Sequence, residues 1–176
     1  DAAPLREAIV AVAESVLAGE DRFPGVRAML RGELPRLSSG RLGPATEDLI
    51  GATLGLDRSC LTIQGPPGTG KTYNSARMVL AALRARRRVA ITAPSHAAIQ
   101  NLLRAVETHA VEEGVVFAGV YKGAGYESPV GLVEGVEANA DCTANHRLVA
   151  GTPWLLARNE HADAFAISGG MHADVA

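Results

Sequence analysis

The residues Gly65, Pro66, Pro67, Gly68, Thr69, Gly70, Lys71 and Thr72 spell GPPGTGKT and match the pattern GxxxxGK[ST] in full. The chemistry this spacing supports is the cradling of a phosphate chain. Glycine at 65, 68 and 70 lets the backbone wrap closely where a Cβ would clash or forbid the required φ angles. The loop amides then point inward, and a following helix adds the positive end of its dipole. Lys71 is placed to bridge β- and γ-phosphate oxygens, and the Thr72 hydroxyl to bind Mg²⁺, so the implied cofactors are ATP and Mg²⁺. Pro66 and Pro67 stiffen the approach and reduce the entropy lost on ordering. A bare glycine-rich turn ahead of a helix is the competing reading; the full match between an expected strand and an expected helix favours the cradle. Tyr73 follows directly and packs either near the nucleotide or into the core.

These residues need a strand before them and a helix after. Cys60-Leu-Thr-Ile-Gln64 is a short β-prone run, and from Tyr73 to about Arg86 the residues Ala76, Val79, Leu80 and Leu83 share one helical face. A strand is expected over 88–93, and then a helix to about Glu113 carrying Ile99, Leu102, Leu103 and Val106. Ser95 is its N-cap, a backbone contact for a ligand, or both. Gly114 ends that helix, and 115–120 reads as a third strand. This alternation predicts an α/β chain with a parallel sheet covered by helices. Over 121–145 five glycines and prolines, among them Gly123 and Gly125, break the pattern into a turn-rich excursion, and 148–152 returns to a buried strand with a short helix at Trp154. Ahead of the loop, Leu5, Ile9, Val12, Val16 and Leu17 recur at helical spacing up to Gly19. A second helix is expected over 24–34, a loop over 37–44 and a third helix over 45–54.

The 176 residues suffice for one core of ordinary size, and net charge −2 gives no global attraction to nucleic acid, so any such contact must be local. No run approaches the ~18 apolar residues of a bilayer-spanning helix. Lys71 and Lys122 are the lysines of an otherwise arginine-based set. The basic run Arg84, Arg86, Arg87 and Arg88 reads either as a nucleic-acid patch or as a solvated helix C-terminus suited to the dipole, the latter favoured by its distance from the loop. Cys60 and Cys142 form no CxxC pair, and the simplest compartment is a reduced, cytoplasmic one. Cys142 and His146 lack the two further ligands of a zinc site. Glu160 and Asp163 are the acids available as Mg²⁺ ligands near the C-terminus, but neither ends an apolar strand. The sequence begins at Asp1 and reads as a piece of a longer protein.

The residues after the loop helix carry a resemblance. ITAPSHAAIQNLL at 91–103 resembles motif Ia of superfamily 1 helicases, whose turn touches the backbone of a single strand of nucleic acid. LVAGT at 148–152 resembles the strand that precedes the acidic motif in that family. With IQGPPGTGKTY at 63–73 and VAGTPW at 149–154, these blocks resemble the helicase half of bacterial proteins that fuse a RecB-like nuclease to an Upf-like (subfamily 1B) helicase, over roughly 61–158. The resemblance implies a P-loop NTPase, a partial RecA-like three-layer parallel sheet with helices on both faces. It would occupy 58–176, after a helical segment over 1–57. It further implies single-stranded DNA or RNA as partner, held by Thr92, Pro94, Ser95, His96, Asn101 and Thr152. A second RecA-like domain, and with it a RecB-like nuclease domain, would lie in the parent protein.

One departure stands out. Helicases of this family continue into a strand ending in Asp-Glu, which holds Mg²⁺ and positions water, and no Asp-Glu pair occurs anywhere in this sequence. The expected behaviour is nucleotide binding without useful turnover by this polypeptide. Two other readings compete. An AAA+ ATPase that remodels protein complexes predicts an acidic strand soon after the loop helix, where Thr92-Ala-Pro-Ser95 stands instead. A degenerate nucleotide-binding module predicts a stable, non-hydrolysing protein of this size.

Overall fold

The computed structural model describes residues 2–142 and 145–158 and the backbone of 171–172. Glu160, Asp163 and most of the C-terminal tail lie outside the described residues. The chain is an α/β structure around an all-parallel sheet. The strands β1 (Val89–Thr92), β2 (Gly119–Lys122), β3 (Val133–Val136), β4 (Leu148–Ala150) and β5 (Met171–His172) take the order β3-β2-β4-β1-β5.

Helices α1 (Ala3–Leu17), α2 (Pro24–Leu30) and α3 (Thr46–Gly55) precede the glycine-rich residues. Helices α4 (Lys71–Arg84), α5 (His96–Glu112) and α6 (Pro153–Leu156) follow them. Helices α4 and α5 form because apolar residues recur at three and four, and they bury that stripe on one sheet face. Val79, Leu80 and Leu83 of α4 and Ile99, Leu102, Leu103 and Val106 of α5 cluster there with Ile91, Tyr121, Leu148 and Ala150. On the opposite face a smaller cluster joins Val120 and Val149 to Cys142 and Leu155. Alternation along each strand explains the division: Tyr121 faces α5, and Val120 faces α6.

Four sequence expectations are corrected. Residues 60–64 are not a strand. A β-prone run becomes a strand only by pairing, and none of the described strands pairs with it. The strand expected over 115–120 is shifted to Gly119–Lys122, because the residues that register with β4 begin at Gly119. The 121–145 excursion contains β3, which covers the outer edge of β2. The helix expected ahead of Gly19 is present as α1, with Ile9 and Leu17 exposed and Ser15 buried, holding Arg27 of α2 through its carbonyl at 2.6 Å. The arginine run is neither a free patch nor a merely solvated end. Arg84 pairs with Glu113 at 2.5 Å, and Arg87 donates to the carbonyls of Thr53 and Leu54, tying α4 to α5 and α3.

The excursion is fastened by a buried carboxylate. Glu107 is fully inaccessible and accepts from the hydroxyls of Tyr126 and Ser128, each at 2.5 Å, and from the amides of Leu132 and Val133, each at 3.2 Å. Burial first, then the hydrogen bond and charge of Glu107, raise the Tyr126 phenol well above its ordinary range, against a smaller opposing effect of Arg104. A phenol raised in the folded state adds stability that is intact below the unfolded value of about 10 and declines as pH rises past it. Denaturant titrations from pH 8 to 11 should therefore show stability falling above pH ~10, with a shallower fall in Tyr126→Phe. An unchanged slope in that variant would remove Tyr126 as its source.

Candidate functional site

Residues 65–70 form a tight loop leading into α4. Gly68 and Gly70 adopt φ of 82° and 77°, the left-handed region that glycine enters without strain, and Gly70 is the N-cap of α4. A Cβ on Gly65 would lie 2.7 Å from the Thr69 hydroxyl, so this glycine is required by close approach instead. Thr69 Oγ1 donates to the Pro66 carbonyl at 2.8 Å. Lys71 turns back over the loop, and its Nζ donates to the carbonyls of Gly65 at 2.5 Å and Pro66 at 2.9 Å. The ammonium thus sits inside the bend, held by two carbonyls that a phosphate oxygen could replace. Pro67 is exposed, Thr72 is partly buried in the first turn of α4, and Asn74, one turn on, accepts from Thr46 Oγ1 of α3 at 2.7 Å.

The loop opens onto a recess of about 730 Å³ lined by Met29, Leu34, Leu42, Ile63, Gly65 and Lys71. A cationic end and an apolar wall make it suitable for a ligand with an anionic tail and a flat apolar body. Tyr73 lies neither over this recess nor in the core. Its half-exposed ring meets His109 edge-on at 5.0 Å, under the guanidinium of Arg77.

The second set of candidates gathers at the carboxyl ends of the strands, where open parallel sheets bind ligands. Ile91, Ala150 and Tyr121 lie in one register row, which puts Thr92, Gly151 and Lys122 in the next. Thr92 Oγ1 is buried and without a hydrogen-bond partner among the described residues. Pro94 and Ser95 are exposed, and Ser95 caps α5 by accepting from the Ala98 amide at 3.2 Å. Thr152 begins the turn into α6, and Asn101 lies on the exposed side of α5.

His96 is bound to a side chain. Its Nδ1 lies 2.6 Å from the hydroxyl of the buried Tyr121. Gln100 Nε2 donates to that hydroxyl and to the Ala124 carbonyl, each at 3.3 Å. The imidazole, the phenol and the amide thus form one linked hydrogen-bond group at the start of α5. Gly123 belongs to this contact, because a Cβ there would lie 2.5 Å from the Tyr121 hydroxyl and 2.8 Å from His96 Nδ1.

The structure does not merge the two sets. Tyr73, next to the loop, touches His109, which lies thirteen residues along α5 from His96, about 20 Å of helix. Two residues with bearing on these surfaces escaped the sequence reading. Glu107 had a signal, since it stands four residues after Leu103 on the apolar stripe of α5. Trp154 was noted only as part of a helix, although it is the single tryptophan of the chain and is half exposed.

The fold and geometry define an all-parallel α/β protein with a glycine bend closed on the Lys71 ammonium and a polar strand edge. No family model matches the chain, and neither does any curated protein or solved structure. No described helix is long and apolar enough to cross a membrane.

Proposed function

We propose that the chain is the ATP-binding part of a helicase-type, nucleic-acid-translocating ATPase, with a P-loop at 65–72 in a partial RecA-like domain. The observation that carries this reading is the Lys71 ammonium held within a glycine bend, at the start of a helix whose N-cap is a left-handed glycine. An α-helix start supplies unpaired amides and dipole, and the lysine supplies a full charge, which together suit a polyphosphate. Thr72, one residue on, would hold Mg²⁺ on the bound nucleotide. The loops after β1 and β4 bring Thr92, Ser95, His96 and Thr152 to one sheet edge, where hydroxyls, an imidazole and backbone amides suit the phosphates of DNA or RNA. ATP hydrolysis in the parent protein would work this domain against a second RecA-like domain, and a RecB-like nuclease would act on the same strand.

The test separates binding from turnover. Calorimetry with Mg²⁺ and a non-hydrolysable ATP analogue should give saturable one-site binding. Phosphate release by the same protein should stay at background, because no Asp-Glu pair positions water and metal. Absence of nucleotide binding would overturn the reading. A sustained ATPase rate lost in Lys71→Ala would overturn the expectation of inactivity and favour a self-sufficient ATPase.

A further inference from the structure

A recess of about 290 Å³ lies beyond the carboxyl ends of β2 and β4, lined by Lys122, Asn139, Thr152, Trp154 and Arg158, with Pro4 of α1 at its margin. Lys122 ends β2 and shares the strand parity of Val120, so its side chain leaves the sheet on the face that carries α6. It makes no ion pair among the described residues. In α6, Leu155 is buried against Val149 while the neighbouring Trp154 keeps half of its surface exposed. A flat aromatic thus stands in the same recess as an ammonium with no ion pair among the described residues, an amide and a hydroxyl. On the next strand but one, Thr92 ends β1 in the same register row as Lys122, and its buried hydroxyl has no partner among the described residues.

We infer that this recess receives one nucleotide of a single strand, its base stacked on Trp154 and its phosphate paired with Lys122. The inference rests on the strand-binding reading above and extends it, since that reading places backbone contacts only on the β1 and β4 loops. Stacking on an aromatic is tolerant of base identity, because every base offers a π-face. The ammonium contributes through counterion release and carries no sequence information. The site therefore grips a strand without reading it, as a translocating protein requires.

The sole tryptophan makes the test direct. A fluorescein-labelled oligothymidine is titrated while anisotropy and tryptophan emission are followed together, and the titration is repeated with an abasic oligomer of the same length. Emission should be quenched in step with the anisotropy of oligothymidine, and much less by the abasic oligomer. Trp154→Ala should weaken binding roughly 5- to 100-fold, with Trp154→Phe restoring much of it. Lys122→Gln should reduce the slope of log affinity against log salt by about 0.7. Oligothymidine binding with unchanged tryptophan emission and an unaffected Trp154→Ala variant would overturn this site and leave the strand-binding reading standing. No oligothymidine binding, in protein that still binds Mg-nucleotide, would overturn both. The wild-type emission decides the matter even if a variant fails to fold.

Discussion

Lys71→Ala should weaken Mg-nucleotide binding by roughly 30- to 150-fold while leaving the stability of the protein nearly unchanged. The affinity figure follows from removing charge-assisted hydrogen bonds worth about 2–3 kcal/mol. The stability figure follows from where Lys71 rests without ligand. Its two acceptors are the carbonyls of Gly65, partly buried, and Pro66, exposed, so water can replace the lost ammonium on both. The expected change is within about 1 kcal/mol. Lys71→Arg should not rescue binding, because a planar fork cannot occupy a bend that closes around a single nitrogen. Calorimetry for affinity and denaturant unfolding for stability check the two halves separately. Equal losses in both would mean that Lys71 is a structural clip and the loop is not a phosphate cradle.

The second large effect lies far from the loop. Glu107→Ala should destabilise the protein by about 3–5 kcal/mol, because it strands two hydroxyls and two amides and leaves a void beneath the excursion. In a chain of this length that corresponds to a fall in Tm of roughly 6–20 °C. Glu107→Gln keeps the shape but turns an NH₂ toward donors, and should lose a smaller part of the same stability. Hydrogen exchange would locate the effect: the Leu132 and Val133 amides should lose protection first, and with them β3. An unchanged Tm in Glu107→Ala would show that β3 holds its place without the carboxylate.

How far the sequence foretold these features depends on the range of the forces involved. Helices α4 and α5 were legible because their apolar spacing and the Ser95 cap are local, and the glycines at 68 and 70 because a left-handed turn leaves few other choices. The sheet alternation was legible for the same reason at β1 and β4. Residues 60–64 were misread because their composition favours a strand, whereas a strand exists only with a neighbour, and pairing is not written in the run itself. β3 was missed for the converse reason. Its residues, VEGV, carry a glutamate and a glycine of low strand propensity, and they are held by β2 alongside and by Glu107 twenty-six residues before Val133. Among the site residues, the glycine spacing implied a tight bend at 65–70, and Gly68 and Gly70 do adopt left-handed φ there. The His96–Tyr121–Gln100 linkage joins positions brought together by the β1-α5-β2 crossover, and no local pattern announces it.

The central claim is that main-chain amides and one ammonium in the 65–72 bend bind a polyphosphate. Backbone ¹⁵N–¹H spectra recorded during titration with Mg-ATP, Mg-ADP and AMP test it most directly. The account predicts saturable shifts for Gly68, Thr69, Gly70, Lys71 and Thr72 with the triphosphate and the diphosphate, and little response to AMP, which lacks the phosphates that the bend would enclose. Amide signals at these positions that stay still under saturating Mg-ATP, or that respond equally to AMP, would contradict it.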